Sequence, residues 1–303
     1  MKNLQLGDFT VSRMAMGCMR LADRTLAQAE TLVNTALEGG ITLFDHADIY
    51  GKGRSEELFG QVLARDPGLR DRMVIQSKCG IGRGYYDFSC DHILSAVEGS
   101  LRRLGTDHLE ILLFHRPDAL AEQEEFARAV ETLKAQGKVL SFGVSNMNPA
   151  QIRLLESWTG ETMVTDQLQL SLRHAGMVTA GTNVNVDNSE GTMQDGSILP
   201  FAQRRSMGIQ AWSPLQYGMF GGCFVGCDKF PELNACLEQL AAEYSVTPAA
   251  IALSWILRIP GKIQVILGTV DPLHMQQALQ ADRICLTRQQ WYDLYRATGK
   301  TLP

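Results

Sequence analysis

No run of five or six like charges occurs in the 303 residues, and 28 Lys and Arg against 33 Asp and Glu leave a net charge of only −5. That balance argues against a nucleic-acid partner or an anionic membrane surface. The sequence also lacks any stretch of 18 apolar residues and any continuous apolar region behind Met1, so neither a membrane span nor a signal peptide is expected. No Asn-x-Ser/Thr sequon is present to support secretion. The seven cysteines, Cys18, Cys79, Cys90, Cys223, Cys227, Cys236 and Cys285, are odd in number and dispersed. They do not form a disulfide framework, and a reducing cytoplasm suits them best. No Pro/Ser linker or break in composition divides the chain, so residues 1–303 are expected to form one domain.

What is present is alternation. Eight short apolar runs read as strands: SRMAMG (residues 12–17), TLFDHA (42–47), MVIQSKCG (73–80), LEILLFH (109–115), SFGVSN (141–146), TDQLQL (165–170), IQAWSP (209–214) and QVILGT (264–269). Between them lie segments with apolar residues at i, i+3, i+4 and i+7, such as LAQAETLVNTALEGG, DHILSAVEGSLRRLG and EEFARAVETLKAQGK. PAQIRLLESW opens on Pro149 behind Asn148, a helix-start signal. Strand-helix alternation requires a parallel sheet, and eight repeats favour a closed (β/α)8 TIM barrel, with a short N-terminal segment and a C-terminal helix in RQQWYDLYRATGK. Residues 171–195 are rich in Gly, Asn, Thr and Asp without helical period, and are expected to be a long loop over the substrate side of the mouth.

Several motifs have ordinary readings. GKGRSE (residues 51–56) imitates a dinucleotide fingerprint, but Glu56 stands where the third glycine belongs and its carboxylate would repel a pyrophosphate. Gly299-Lys300-Thr301 has Leu294 in place of the P-loop's first glycine. Cys223 and Cys227 have the wrong spacing for a CxxC site, leaving free thiols or a local redox pair. Asp45, His46 and Asp48 cluster, yet strand alternation sends Asp45 and His46 to opposite faces and no Cys or His pair completes a ligand set, so no metal is expected.

Asp45 and Tyr50 flank the end of the second barrel strand, Lys78 ends the third and His115 the fourth. The catalytic face of such a barrel lies at these C-terminal strand ends, so the four side chains should converge on one mouth. A buried ion pair, a rim aromatic and a satisfied histidine would account for them singly, but not readily for all four on three successive strands. The motifs FDHADIYG, SKCG, LLFHRPD, FGVSN, DQLQ, AWSPL and ILGTVDP, in this order and spacing, resemble the aldo-keto reductase superfamily over nearly the whole chain.

The resemblance implies that Asp45, Tyr50, Lys78 and His115 are the catalytic tetrad of a carbonyl reductase, acting on a small-molecule substrate and using NADPH, and the absence of a Lys or Arg for the 2′-phosphate limits the expected preference over NADH to about tenfold. It implies further that Ser145, Asn146 and Gln167 hold the nicotinamide carboxamide and that Trp212 stacks on its ring. Gly17, Cys18, Met19 and Asp45 would lie along the cofactor, and Ser213, Pro214, Leu215, Gln216, Gly218 and Met219 would meet the pyrophosphate. Gly268, Thr269, Asp271, His274, Gln277 and Ala278 would take the adenosine and its 2′-phosphate, although many relatives carry Lys or Arg where Gly268 or His274 stands. In the mechanism so implied, Tyr50 is the general acid, Lys78 lowers its pKa, Asp45 keeps Lys78 charged and His115 steers the carbonyl oxygen. The competing function is a nicotinamide-nucleotide-binding sensor or regulatory subunit with little turnover, and a metal-dependent barrel hydrolase stands third.

Overall fold

The computed structural model describes residues 1–182, 197–218 and 221–300. Met219 and residues 183–195 of the long segment therefore lie outside the described residues. Each of the eight apolar runs forms a strand: β3 (Met14–Gly17), β4 (Leu43–Asp45), β5 (Val74–Cys79), β6 (Leu109–Phe114), β7 (Val139–Ser145), β8 (Met163–Gln169), β9 (Gly208–Trp212) and β10 (Lys262–Leu267). They close in sequence order, all parallel, with β10 hydrogen-bonded back to β3. Strand β5 thus lies diametrically across from β9, and β4 across from β8.

Two further strands, β1 (Asn3–Leu6) and β2 (Phe9–Ser12), make an antiparallel hairpin not expected from the sequence. Its turn at Gly7 has φ +55°, and a Cβ there would come within 2.8 Å of Val164 in the barrel wall. Leu6 is as close to Gly208, where a Cβ would lie 2.2 Å from its side chain. The hairpin thus plugs the N-terminal end of the barrel, and Leu6 and Val11 join Ala15, Leu43, Ile111, Leu113 and Ile266 in a small apolar cluster. The main core lies outside the strands, under the helices.

The helices are α1 (Leu26–Glu38), α2 (Arg54–Arg65), α3 (Cys90–Leu104), α4 (Gln123–Ala135), α5 (Pro149–Thr159), α6 (Gly176–Thr182), α7 (Ile198–Arg205), α8 (Pro231–Tyr244), α9 (Pro248–Leu257), α10 (Pro272–Leu279) and α11 (Arg288–Ala297). Helix α5 begins as its sequence demands: Asn148 accepts from the Ala150 and Gln151 amides, and Gln151 returns a bond to the Asn148 backbone. Helix α6 corrects the expectation of a structureless 171–195 segment. Leu172 and Ala175 are buried at its approach, and that anchorage overrides the weak helical propensity of GMVTAGT. No single helix among the described residues is long and apolar enough to cross a membrane.

Candidate active site

Parallel closure brings the ends of β4, β5 and β6 side by side, with Asp45 registered against Gln76, and Cys79 against Phe114. From this rim the Lys78 ammonium, fully buried, donates to Asp45 Oδ1 at 2.7 Å, to the His46 carbonyl at 2.7 Å and to the Tyr50 hydroxyl at 3.0 Å. All three ammonium hydrogens have partners, so the charge is held by geometry as well as by Asp45. Burial pulls the Lys78 pKa down, but Asp45 and Tyr50 together more than reverse that, and the net direction is upward. Lys78 therefore stays charged.

Tyr50 sits on a short 3₁₀ turn in which Gly51, Lys52 and Gly53 all have positive φ, which throws its ring back over the strand ends. The phenol departs from expectation. Burial raises its pKa more than the Lys78 ammonium lowers it, and Asp45 adds to the rise. The group thus keeps its proton and is a neutral phenol across the neutral range. His115 lies edge-on to Tyr50 with ring centroids 6.1 Å apart. Burial first, then the Lys78 and Arg116 charges, hold its pKa well below the usual histidine range, so the imidazole is neutral. The four side chains singled out in the sequence do come together at one mouth.

His46 and Asp45 do point to opposite faces. The His46 ring is buried against Phe59 of α2, with centroids 4.5 Å apart, and burial pushes its pKa down to about 3. Glu56 is also buried, accepting from Ser77 at 2.6 Å and from Arg103 at 2.8 Å. That ion pair, not a phosphate loop, explains GKGRSE. No cluster of three or more His, Cys, Asp or Glu among the described residues could hold a metal ion. All seven cysteines are free.

The residues expected along a cofactor occupy the same rim. Ser145 donates to the Gln167 carbonyl at 2.8 Å and accepts from the Asn146 amide at 2.8 Å, while Trp212 Nε1 donates to Asn146 Oδ1 at 3.3 Å. Asn146 and Ser213, at the ends of β7 and β9, adopt left-handed backbone with φ of +59° and +48°, and Gly218 has φ +59°. Such conformations in non-glycine residues concentrate at ligand sites. Gln216 leaves its buried Oε1 without a partner in the segment expected to face the pyrophosphate. Gly17 and Cys18 are buried, with the Cys18 amide donating to the Asp45 carbonyl at 2.9 Å, whereas Met19 is exposed. These strained turns and the unmet Gln216 oxygen fit a polar ligand lying across the mouth.

The adenosine segment is arranged less favourably than expected. The Asp271 carboxylate caps α10 itself, accepting from the Leu273 amide at 2.8 Å and the His274 amide at 3.2 Å, so those amides are not free for a phosphate. Thr269 caps the Asp271 amide at 3.1 Å, and Gly268 has open space around it. His274 is exposed on the first turn beside Asp271, 3.9 Å from its carboxylate, and Gln277 is half-buried. Ala278 is buried in the core beneath α10, so its methyl faces inward rather than toward a ligand.

A sequence model of the Aldo/keto reductase family matches residues 13–297. The chain belongs to the aldo/keto reductase family. It is accordingly a (β/α)8 oxidoreductase, an NAD(P)H-dependent carbonyl reductase. Among its relatives is 6-dehydroglucose reductase of Agrobacterium fabrum, 36% identical, with the match covering 99% of each chain. Oxidoreductase YdhF of Escherichia coli is also 36% identical, over 94% of this chain and 93% of that one. The crystal structure of an aldo-keto reductase from Klebsiella pneumoniae in complex with NADPH superposes with a TM-score of 0.78 at 26% identity, covering 99% of this chain and 96% of the other.

Sequence reasoning missed two parts of this site. The His46 carbonyl, as third partner of the ammonium, leaves no sequence signal because any residue supplies a carbonyl. The glutamines below Asp45 do leave one: Gln76 precedes Lys78 by two residues in its strand, and so shares its inward face.

Proposed function

We propose that the protein reduces an aldehyde or ketone to the alcohol, with Tyr50 as general acid and NADPH as reductant. The observation that carries this reading is the buried Lys78 ammonium, 2.7 Å from Asp45 and 3.0 Å from the Tyr50 hydroxyl at the barrel mouth. When bound, the cofactor supplies a hydride to the carbonyl carbon. Charge then gathers on the carbonyl oxygen, and Tyr50 donates its proton there. Lys78 faces the phenol oxygen and stabilises the phenolate left behind, while Asp45 keeps Lys78 charged and in place. His115, neutral, offers one N–H to the same oxygen.

On this reading Ser145, Asn146 and the Oε1 of Gln167 hold the carboxamide, and Trp212 covers the ring. The 2′-phosphate has no Lys or Arg at Gly268 or His274, and Asp271 occupies the helix amides, so NADPH should exceed NADH by no more than about tenfold in affinity. Seven free thiols suit a cytoplasmic location. The test is NADPH oxidation across aldehydes, quinones, ketosteroids and sugar carbonyls. Sugar carbonyls come first, given the name of the Agrobacterium relative. Turnover of one class well above the others is expected. Tight cofactor binding with no turnover on the whole panel would instead favour the sensor or regulatory subunit.

A further inference from the structure

The interior of this barrel holds a layer that a TIM barrel ordinarily fills with branched apolar side chains. Gln76 of β5, Gln167 of β8, Gln210 of β9 and Gln264 of β10 are at most 3% exposed, and they meet across the lumen above the apolar plug. Gln76 donates to Asp45 Oδ1 at 2.6 Å and to Gln210 Oε1 at 2.9 Å. Gln167 donates to the same Asp45 oxygen at 2.9 Å and to Gln210 Oε1 at 3.0 Å. Gln210 in turn donates to Gln76 Oε1 at 2.9 Å and to Gln264 Oε1 at 2.8 Å, and Gln264 donates to the Ser12 carbonyl at 2.6 Å.

The bonding has a direction. An ionised Asp45 can only accept, so Gln76 and Gln167 must both turn their NH₂ groups toward it. Their second hydrogens then require an acceptor, which Gln210 Oε1 supplies. Its own NH₂ must face the Gln76 and Gln264 oxygens, and the Ser12 carbonyl, again acceptor-only, fixes Gln264. Every hydrogen on three of the amides is used, and a flip of any one would set like groups against each other. The strand pairs involved, β5 with β9 and β4 with β8, are diametric, so the layer ties opposite walls of the barrel to one carboxylate oxygen.

We infer that Gln210 is a positioning residue for the reductase reaction, locking the amides of Gln76 and Gln167 in the orientation that holds Asp45 beneath Lys78. It touches neither Lys78 nor Tyr50 in the hydrogen-bond network, and acts only through Gln76 and Gln167. This inference rests on the proposed role of Tyr50 as the acid. With the lock removed, Gln76 and Gln167 lose the acceptor for their second hydrogens and are no longer pinned, their donation to Asp45 loosens, and Lys78 is drawn from the phenol toward the less satisfied carboxylate. The phenolate is then less stabilised and Tyr50 becomes a weaker acid. The groups facing Tyr50 are Lys78, Asp45, the Cys18 thiol and the His115 ring; the last two are uncharged near neutrality, so beyond burial it is Lys78 and Asp45 that bias its ionisation.

The test is Gln210→Leu, read by ultraviolet titration of Tyr50 in the protein without added cofactor. The signal is the difference between each protein and its own Tyr50→Phe counterpart. An upward move of Tyr50 ionisation by about half a pH unit, a threefold change in proton affinity, is expected. Turnover should fall by up to about threefold, the most that a threefold weaker acid gives, with substrate KM held within about twofold. A lowered Tm with unmoved Tyr50 ionisation and turnover would overturn the inference and leave Gln210 as filling. Should Gln210→Leu fail to fold, Gln264→Leu, which removes an acceptor from Gln210, must move the ionisation the same way by a smaller amount; no movement there overturns it equally. Because the titration needs no turnover, it remains readable if Tyr50→Phe proves active and the proposed function itself falls.

Discussion

Lys78→Met removes the ammonium while keeping a chain of similar length, and its effect on stability can be worked from the contacts. In the native protein Asp45 accepts from Lys78, Gln76 and Gln167 with almost no exposure to water. Losing one partner of a buried ion pair typically destabilises by about 3 to 5 kcal/mol, because the remaining charge is uncompensated. Two amide donors persist here, which places the expectation at the lower end, about 3 kcal/mol. At about 2.1 cal/mol/K per residue, unfolding of a chain this long carries an entropy near 0.6 kcal/mol/K, so Tm should fall by about 5 °C. Asp45→Asn should be destabilising alone, yet less so in the Lys78→Met background, since the neutral amide no longer leaves a charge stranded. Calorimetry on the four proteins of this cycle measures the coupling, expected at about 2 kcal/mol or more. Additive effects within about 0.5 kcal/mol would refute the buried, mutually dependent pair.

Three other outcomes follow from particular contacts. Burial first, then Glu56, raises the Asp48 carboxyl from 3.8 to about 7, so the linked stability is full below about 3.8 and is lost as pH rises from there through 7. Asp48→Asn should therefore raise Tm at pH 8 by a few degrees and by clearly less at pH 5, in paired thermal melts. His46 is depressed to about 3, so the stability linked to its neutral ring is present above about 6.5 and drains as pH falls toward 3. His46→Met should flatten that acid-side loss in melts from pH 7 to pH 5; an unchanged slope would place the loss elsewhere. Asp271→Ala frees the Leu273 and His274 amides and removes a carboxylate, so fluorescence titration should show the NADPH over NADH preference rising about tenfold, at about 1 kcal/mol of lost cap stability.

The barrel was legible because its strands are buried on both faces. Their apolar runs stand out, and of the polar residues that interrupt them, Asp45, Lys78 and Ser145 fall at the mouth. Helix α5 was equally plain in Asn148-Pro149. The β1–β2 hairpin was not, since each strand has only four residues and a mixed pattern that becomes a plug only once there is a barrel to fill. The acid strength of Tyr50 depends on how deeply its oxygen is enclosed and how far it lies from Lys78, and neither is encoded in spacing. By contrast, Asp271-Pro272 carries the same capping signal as Asn148-Pro149 and was readable, with the consequence that the cap competes with a phosphate.

The central claim, that Tyr50 delivers the proton, is tested most directly by Tyr50→Phe. The ring and its packing beside His115 are retained while the hydroxyl bonded to Lys78 at 3.0 Å is removed. Turnover on the best carbonyl substrate and cofactor Kd are measured on the same preparation. An unchanged Kd and a kcat lower by about 10² to 10⁴ are expected. A variant that keeps more than about a tenth of the wild-type kcat would contradict the claim.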